Sequence, residues 1–354
     1  MEEAIKQLVQ NFHWVALLLM IAVSLLAVGK GADILVDQAV LLAKNWGMPT
    51  LLIGATIVSL GTTTPEAAVS VLAAIQGKPD LALGNAVGSV ICDTGLILGI
   101  AALLRPLPLN REIVNRQGWI QVGAGFLLVL VAVPYSNLGN MFLEGEGGGG
   151  RIPQFVGFIL LGLLVAYMWM SVKWAKQAGG SAIEAEVGGA LTAPVNVPVT
   201  VLKLLGAIAV VIVASWILIP SVEEAALRVG VPKGVIAATL VALGTSLPEL
   251  VTCVTATLKG HGELAIGNII GADILNVLFV AGASTAVTSA GLAAPAAFFK
   301  FQFPAMLLVL VIFRVGIFFC KGTLGRGFGA LLLAVYAVYI GLTAVYFGGG
   351  GHGH

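Results

Sequence analysis

Long apolar stretches separated by short polar gaps dominate the pattern of this chain of 354 residues. Each stretch can form a helix of about 20 residues, the length that crosses the hydrocarbon core of a bilayer. A gap such as Gly77–Asp80 leaves room only for a tight turn between antiparallel helices. The pattern predicts ten spans, at residues 14–43, 50–76, 81–104, 118–135, 154–173, 201–228, 234–259, 262–287, 302–320 and 327–347.

The longest polar segment, residues 176–198, divides these spans into two sets of five. Residues 54–99 of the first set align without a gap with residues 237–282 of the second. Because five is an odd number of crossings, the second copy enters the membrane from the opposite side. The sequence therefore predicts an all-α integral membrane protein of two inverted five-helix repeats, 1–175 and 199–354, joined by a linker at 176–198.

Composition agrees with a membrane protein, since 58% of the residues are hydrophobic and only 10% are charged, against about 25% in soluble domains. A net charge of +1 without basic clusters argues against a nucleic-acid partner. The predicted inner loops and helix ends carry ten Lys and Arg residues against six outside when the N-terminus is outside. We expect a multi-pass protein of the plasma or inner membrane in that orientation. Inside the first span, Lys30 and Asp33 are expected to pair with each other.

A proline followed by a glutamate interrupts the apolar sequence once in each copy, within Gly61–Glu66 (GTTTPE) and Gly244–Glu249 (GTSLPE). Pro65 and Pro248 have no amide proton and clash with the preceding turn, so each is expected to break its helix. The carbonyl four residues before each proline then needs a donor or a cation in the bilayer. These carbonyl groups belong to Gly61 and Gly244.

Hydroxyl groups accompany each glutamate. Thr62 and Thr63 precede Glu66 by four and three residues, so that all three side chains share one helical face. A carboxylate in lipid is costly and commonly marks an ion pathway. These hard oxygen ligands suit Ca²⁺ or Na⁺ better than zinc or copper. The second copy repeats the arrangement with Thr245, Ser246 and Glu249.

The following helix of each copy adds a stripe of polar side chains. Asn85, Ser89 and Asp93 are spaced four residues apart and lie on one face. Inverted symmetry is expected to bring both stripes and both helix breaks to one central point, where six to eight oxygens are available for one Ca²⁺. The counterparts in the second copy are Asn268, Ala272 and Asn276, with an additional Asp273.

The acidic groups set the charge of this site. Glu66, Asp93 and Glu249, when ionised, carry three negative charges, which would balance three monovalent ions or nearly balance one divalent ion. Such a site disfavours crossing the membrane empty, which is the property that an exchanger needs. We expect no cofactor, only transported ions, and a monomer as the state of the protein. The sequence contains no HExxH motif, GxSxG motif or nucleotide-binding loop that would indicate an enzyme.

GTTTPE and GTSLPEL, each followed by GNxxG, resemble the two alpha-repeats of the cation/calcium exchanger superfamily, and most closely its sodium/calcium antiporter branch. The resemblance extends over the whole ten-span layout. It implies that Ca²⁺ binds between Glu66 and Glu249 with help from backbone carbonyls, and that the first and sixth helices slide against the core in alternating access. It also implies neighbouring Na⁺ positions lined by Thr62, Thr63, Ser89, Thr245 and Ser246.

Several positions differ from the usual pattern of that superfamily. The stripes usually end with Asn in the first repeat and Asp in the second, whereas Asp93 and Asn276 reverse this order. The swap keeps the charge under two-fold symmetry. Thr63 replaces a usual serine, and a usual serine–asparagine pair is replaced by Ala272 and Asp273. These changes bear on one Na⁺ position, on the stoichiometry and on the driving ion.

Two alternatives follow from the same residues. A Ca²⁺/H⁺ antiporter would keep the fold and use the acidic side chains as proton carriers. A passive cation channel would show flux without obligatory coupling to a counter-ion, although the sequence contains no segment that would form a ring-shaped filter. The sequence favours exchange of Ca²⁺ for Na⁺.

Overall fold

The computed structural model describes residues 9–10, 12–143, 148–178, 196–230, 244–320 and 322–348. Helices form nearly all of its regular structure. In the first half they are α1 (Trp14–Trp46), α2 (Thr50–Thr62), α3 (Thr64–Ile75), α4 (Pro79–Leu104), α5 (Arg111–Ala132) and α6 (Gln154–Ala178). In the second half they are α7 (Val197–Arg228), α8 (Leu247–Leu258), α9 (Gly262–Ala286), α10 (Phe298–Phe319) and α11 (Arg326–Gly348).

Side-chain caps set the start of two long helices. The Asn110 side chain accepts from the Ile113 amide at 3.5 Å before α5, and Asn196 accepts from the Val199 amide at 3.3 Å before α7. Because of the first cap, α5 begins at Arg111 and not at the predicted residue 118, and it ends at Ala132, just before Pro134.

Seven of the described helices are long and apolar enough to cross a membrane, and the bent pair α2–α3 adds an eighth. Helix α5 is not among them because its first turns are polar. The first part of the predicted seventh span, residues 234–243, lies outside the described residues, as does most of the predicted linker. The protein is therefore a helical membrane protein, while the count of ten spans and the repeat boundaries stay predictions.

Helix α9 lies at the centre of the molecule, and nearly all of its residues are buried. It crosses α2 at close range because both helices present glycines at the contact. A Cβ atom added at Gly54 would lie 2.6 Å from the Leu264 carbonyl oxygen, and one at Gly271 would lie 2.6 Å from Ala55 Cα. Small residues allow this close approach, which supplies the packing energy between helices in a membrane.

Turns of π-helix interrupt the helices beside the central contact. They occupy Gly54–Val58 in α2, Cys92–Ile97 in α4 and Asn276–Ala281 in α9. Such turns disturb the regular hydrogen bonding of a helix and often occur at functional sites. In α2 the Tyr167 hydroxyl of α6 donates to the Ala55 carbonyl at 3.1 Å.

Two short antiparallel strand pairs connect loops from the two halves. Strand β1 (Leu107–Pro108) pairs with β4 (Thr323–Leu324), and β2 (Gly150–Ile152) pairs with β3 (Leu292–Ala294). Three arginine side chains of the first half also donate to backbone carbonyl groups of the second half: Arg105 to Leu258, Arg111 to Cys320, and Arg151 to Ala290.

Helices α1 and α7 pack along each other, with Gly31 of α1 close to Val211 of α7. Lys259, after α8, joins α1 to the rest of the molecule, because its ammonium group lies 2.8 Å from Asp37 Oδ1 and 3.5 Å from Asp33 Oδ1. The expected pair of Lys30 with Asp33 is absent from the ion pairs of the described residues. Lys259 takes the place of Lys30 as the partner of Asp33, because α8 brings Lys259 to the same face of α1.

We predict that Gly271→Ala lowers the stability of the protein by about 1–3 kcal/mol, the usual cost of overpacking a tight contact. The added methyl group would lie 2.5 Å from Ser59 Oγ and 2.6 Å from Ala55 Cα. Thermal unfolding in detergent measures the effect. Gly162→Ala in α6 is the matched control, since nothing lies within 4 Å of its added Cβ atom. Equal melting temperatures for the two variants would contradict the close contact of α2 and α9.

Candidate functional site

The two proline motifs both lie at helix starts. Helix α2 ends at Thr62, α3 begins at Thr64, and their axes differ by 44°. Pro65 occupies the first turn of α3, a position where its missing amide proton costs no hydrogen bond within the helix. In the second copy, Pro248 occupies the first turn of α8 in the same way. The residues before Gly244 lie outside the described part of the chain.

Both glutamates lie in the first turn after these prolines and are buried. Glu66 belongs to the first turn of α3 and Glu249 to that of α8. The partial positive charge of a helix N-terminus stabilises a carboxylate there, typically by 0.3–1 kcal/mol at exposed positions. This offset is small against the cost of burying an ionised group, so each carboxylate needs further partners.

Side chains from the two copies meet around these glutamates. Three of the hydrogen bonds between the copies lie here: Thr63 Oγ1 donates to Glu249 Oε1 at 3.1 Å, Thr245 Oγ1 to Asn85 Oδ1 at 3.1 Å, and Asn276 Nδ2 to Asp93 Oδ2 at 3.4 Å. The Thr62 hydroxyl also lies near the Glu249 carboxyl group, although it donates to Ser59 O at 3.3 Å. The carboxyl groups of Glu66, Asp93 and Glu249 are close enough to interact electrostatically.

We call Glu66, Asp93 and Glu249, with the polar side chains around them, the central cluster. Within the described residues, many of its oxygens are buried without a hydrogen-bond partner. The oxygens without a hydrogen bond of good geometry are Glu66 Oε1 and Oε2, Asp93 Oδ1, Ser246 Oγ, which lies near the Asp93 carboxyl group, Glu249 Oε2 and Asn276 Oδ1. Leaving a charged or polar oxygen in this state is costly, and bound cations are the usual remedy. Six oxygens of hard character match the smallest coordination number of Ca²⁺.

The carboxylates alone do not form a finished metal site. Within the described residues, no three His, Cys, Asp or Glu side chains converge as a metal-binding group. Ligands from this cluster must therefore include the hydroxyl and amide oxygens, or the helices must close further around an ion. The mixed set favours Ca²⁺ and Na⁺, which accept carboxylate, amide and hydroxyl oxygens alike.

The two GN asparagines have different surroundings. Asn85 Nδ2 donates to Ser70 Oγ at 2.9 Å and to Glu66 O at 3.3 Å. Asn268 is fully buried, and neither polar atom of its side chain has a partner. The position that matches Ser70 in the second copy is Cys253, which cannot replace the serine hydroxyl as a strong partner.

Two further candidates lie outside the central contacts. Ser89 is buried on α4, but no hydrogen bond connects it to the cluster within the described structure. Asp273 points elsewhere: its Oδ2 accepts from Gln121 Nε2 at 2.5 Å and from the Thr94 hydroxyl. The carbonyl groups of Gly61 and Gly244 stay candidates on the strength of the proline motifs.

Sequence reasoning missed three polar partners, Ser70, Thr94 and Gln121. Gln121 carried a usable signal, because it is a polar residue within a predicted span. Thr94 and Ser70 carried none, since hydroxyl groups occur throughout membrane helices and satisfy themselves on the preceding turn. The π turns that begin at Cys92 and Asn276 also lacked a sequence signal.

Comparison with known families gives one match over most of the chain. A family described as "Sodium/calcium exchanger protein" matches residues 16–173 and 199–345. Both matched segments contain one proline–glutamate motif and one polar stripe. The match leaves out only the two ends and the polar segment between the copies.

Relatives and a solved structure agree with that match. Inner membrane protein YrbG of Escherichia coli K12 is 34% identical over 91% of this chain and 95% of its own length. Sodium/calcium exchanger MaX1 of Methanosarcina acetivorans is 30% identical over 91% of this chain and 97% of its length. The sodium-calcium exchanger NCX_Mj, soaked with zero Na⁺ and Ca²⁺, superimposes with a TM-score of 0.75 at 23% identity, over 94% of this chain and all of that one.

We predict that Ca²⁺ stabilises the protein against thermal unfolding and that Glu66→Gln and Glu249→Gln each remove most of this effect. A ligand at 100 times its Kd stabilises the folded state by about 2.7 kcal/mol. Each substitution removes one negative charge from the central cluster while keeping its shape. The measurement is the melting temperature in detergent over a Ca²⁺ titration.

Glu112→Gln serves as the control for that titration, since Glu112 is an exposed residue that pairs with Arg116 on the surface of α5. It should keep the full Ca²⁺ response. A full response in both Glu66→Gln and Glu249→Gln would refute the central cluster as the Ca²⁺ site.

Proposed function

The chain belongs to the sodium/calcium exchanger family, and from that premise we propose that it exchanges Ca²⁺ for Na⁺ by alternating access. As a member of this family it is a cation/calcium antiporter of the membrane. The central cluster supports exchange of Ca²⁺ for Na⁺, because both copies contribute to its six unpartnered oxygens. We expect no chemical reaction and no cofactor, because moving an ion requires only ligands and a conformational change.

The charge of the central cluster supports ion exchange over uncoupled flux. Glu66, Asp93 and Glu249 repel one another when the cluster holds no cation, since like charges at short range in low dielectric raise the energy strongly. Rearranging around an empty cluster is then slow, whereas loading with Ca²⁺ or with Na⁺ ions relieves the repulsion. In this proposal Thr62, Thr63, Ser89, Thr245 and Ser246 line Na⁺ positions next to the Ca²⁺ position.

Helices α1 and α7 are the proposed moving pair. They pack along each other, and α7 reaches the proline motif where Ile208 lies against Gly61. In addition to this packing, the ion pairs of Lys259 with Asp33 and Asp37 hold α1 to the core. These partly exposed ion pairs are worth little individually, so sliding of the pair can break and remake them at modest cost.

Loop contacts support the arrangement of ten spans in two inverted repeats. In that arrangement, loops with the same parity lie on the same side of the membrane. The strand pair β1–β4 joins the third and ninth loops, and β2–β3 joins the fourth and eighth. Arg105 joins the third to the seventh loop. Every one of these contacts connects loops of equal parity, as the proposal requires.

A Ca²⁺/H⁺ antiporter on the same fold is the alternative. It would use the buried carboxyl groups of Glu66, Asp93, Glu249 and Asp273 as proton carriers. The hydroxyl groups of Thr62 and Thr63 around Glu249 favour Na⁺, because a proton needs a carboxylate but no additional neutral oxygens, whereas Na⁺ needs several.

We predict that a Na⁺ gradient drives Ca²⁺ uptake into sealed vesicles containing the purified protein. If more than two Na⁺ ions leave for each Ca²⁺ that enters, uptake moves net positive charge out of the vesicle, and an inside-negative potential should oppose it by about 2.3 kcal/mol per charge per 100 mV. The assay follows ⁴⁵Ca²⁺ under an outward Na⁺ gradient, and under a pH gradient in Na⁺-free medium. Uptake driven equally well by the pH gradient alone would favour the proton-coupled alternative.

We predict an outside N-terminus. Cysteines introduced at the exposed positions Lys78 and Asn45, in a chain whose Cys320 is replaced by serine, should report opposite sides. A membrane-impermeant maleimide should label the Lys78→Cys variant in intact cells and the Asn45→Cys variant only after permeabilisation. The reverse pattern would invert the orientation without affecting the antiport proposal.

A further inference from the structure

A second group of buried polar side chains lies beside the central cluster, where α9 packs against α5. Asp273 of α9 is its only acidic member, and its Oδ2 accepts hydrogen bonds from Gln121 Nε2 at 2.5 Å and from the Thr94 hydroxyl. Gln121 Nε2 also lies 3.3 Å from Thr94 Oγ1. All three residues are buried. They come from three different helices, α9, α5 and α4.

Among the residues that the structure describes, this group contains oxygens without a hydrogen-bond partner. Asp273 Oδ1 and Gln121 Oε1 are both buried without a hydrogen-bond partner. One helical turn earlier on α5, the amide group of Gln117 is fully buried and also has no partner. In the part of the chain that the structure describes, no Lys, Arg or His side chain forms an ion pair with Asp273. A bound cation would satisfy both the charge and the free oxygens.

The charge of Asp273 identifies the class of cation. Asp273 is close enough to Asp93 to interact with it electrostatically, so an ionised Asp273 raises the negative charge of the region from three carboxylates to four. One Ca²⁺ in the central cluster leaves two of these four negative charges uncompensated, so that room remains for a monovalent cation beside Asp273. A single carboxylate surrounded by amide and hydroxyl oxygens is matched in charge by a monovalent ion, whereas Ca²⁺ generally takes more than one carboxylate.

We propose that Asp273, Gln121 and Thr94 form an accessory site for a monovalent alkali cation. This accessory site is separate from the central cluster and stays filled when Ca²⁺ occupies that cluster. The inference deepens the proposed function and rests on it, since it takes the central cluster as the place where Ca²⁺ binds. In this proposal Asp273 acts together with Gln121 and Thr94, whereas the sequence alone placed it with the residues of the central site.

The test is equilibrium binding to the purified full chain in detergent at saturating Ca²⁺. ²²Na⁺ is the first probe, and ⁸⁶Rb⁺, which stands in for K⁺, is the second. We expect one monovalent ion to remain bound per protein while Ca²⁺ is bound, and the two probes show which ion the site prefers. Displacement of every monovalent ion by Ca²⁺ would overturn the accessory site.

Two variants and one control make the result specific. Asp273→Asn keeps the shape and places at this position the asparagine that the resembling superfamily usually has, so the fold should tolerate it. Gln121→Leu removes the amide at similar volume. Both should lose the Ca²⁺-resistant ion, whereas Thr343→Val should keep it, because the Thr343 hydroxyl donates to Tyr339 O of its own helix. Retention of the ion in Asp273→Asn would overturn the proposal.

The same assay distinguishes the two proposals from each other. Failure of the wild-type chain to bind Ca²⁺ would count against the proposed function. Normal Ca²⁺ binding without a residual monovalent ion would count against the accessory site alone. Because the wild-type measurement decides this point, the inference stays testable even if a variant fails to fold.

Discussion

The structure depends on one constraint: oxygens in the middle of a membrane protein must be satisfied by the protein or by an ion. Two helices that begin at a proline motif bring Glu66 and Glu249 close together, and Asp93 joins them. The few hydrogen bonds available there leave most of the carboxylate oxygens without partners. A fold that concentrates such groups is unfavourable by itself and becomes favourable with cations present. In the proposed exchange, this dependence couples ion binding to conformational change.

Close helix packing makes that concentration of polar groups possible. Helix α9 approaches α2 so tightly that Gly54 and Gly271 have no room for a methyl group. In a bilayer, lipid is as apolar as leucine, so such contacts rely on dispersion forces between small residues. The same close approach brings the polar stripe of α9 next to the helix break of the first copy. Helix α9 thus carries both the close packing contact at Gly271 and the candidate ion ligands of the second copy.

The two copies have diverged where the chemistry is most sensitive. The stripe of the first copy ends with the acid Asp93 and that of the second with the amide Asn276, the reverse of the order that the superfamily usually has. The two side chains are hydrogen-bonded to each other. Ser70 satisfies Asn85, whereas Cys253 leaves Asn268 without a partner. Asp273 adds a carboxylate in only one copy. These differences give the two copies different polar side chains at matching positions of the sequence.

The sequence by itself determined that the protein spans the membrane, and its duplicated motifs supplied the prediction of two repeats and the candidate residues for ion binding. Hydrophobic length and repeated motifs are local properties, so Pro65, Glu66 and their counterparts could be recognised without coordinates. Only the tertiary structure decided which side chains meet, because contacts such as Thr63 with Glu249 join residues far apart in the chain. Asp273 illustrates the difference: its charge was visible in the sequence, but its partners Gln121 and Thr94 depend on how three helices cross.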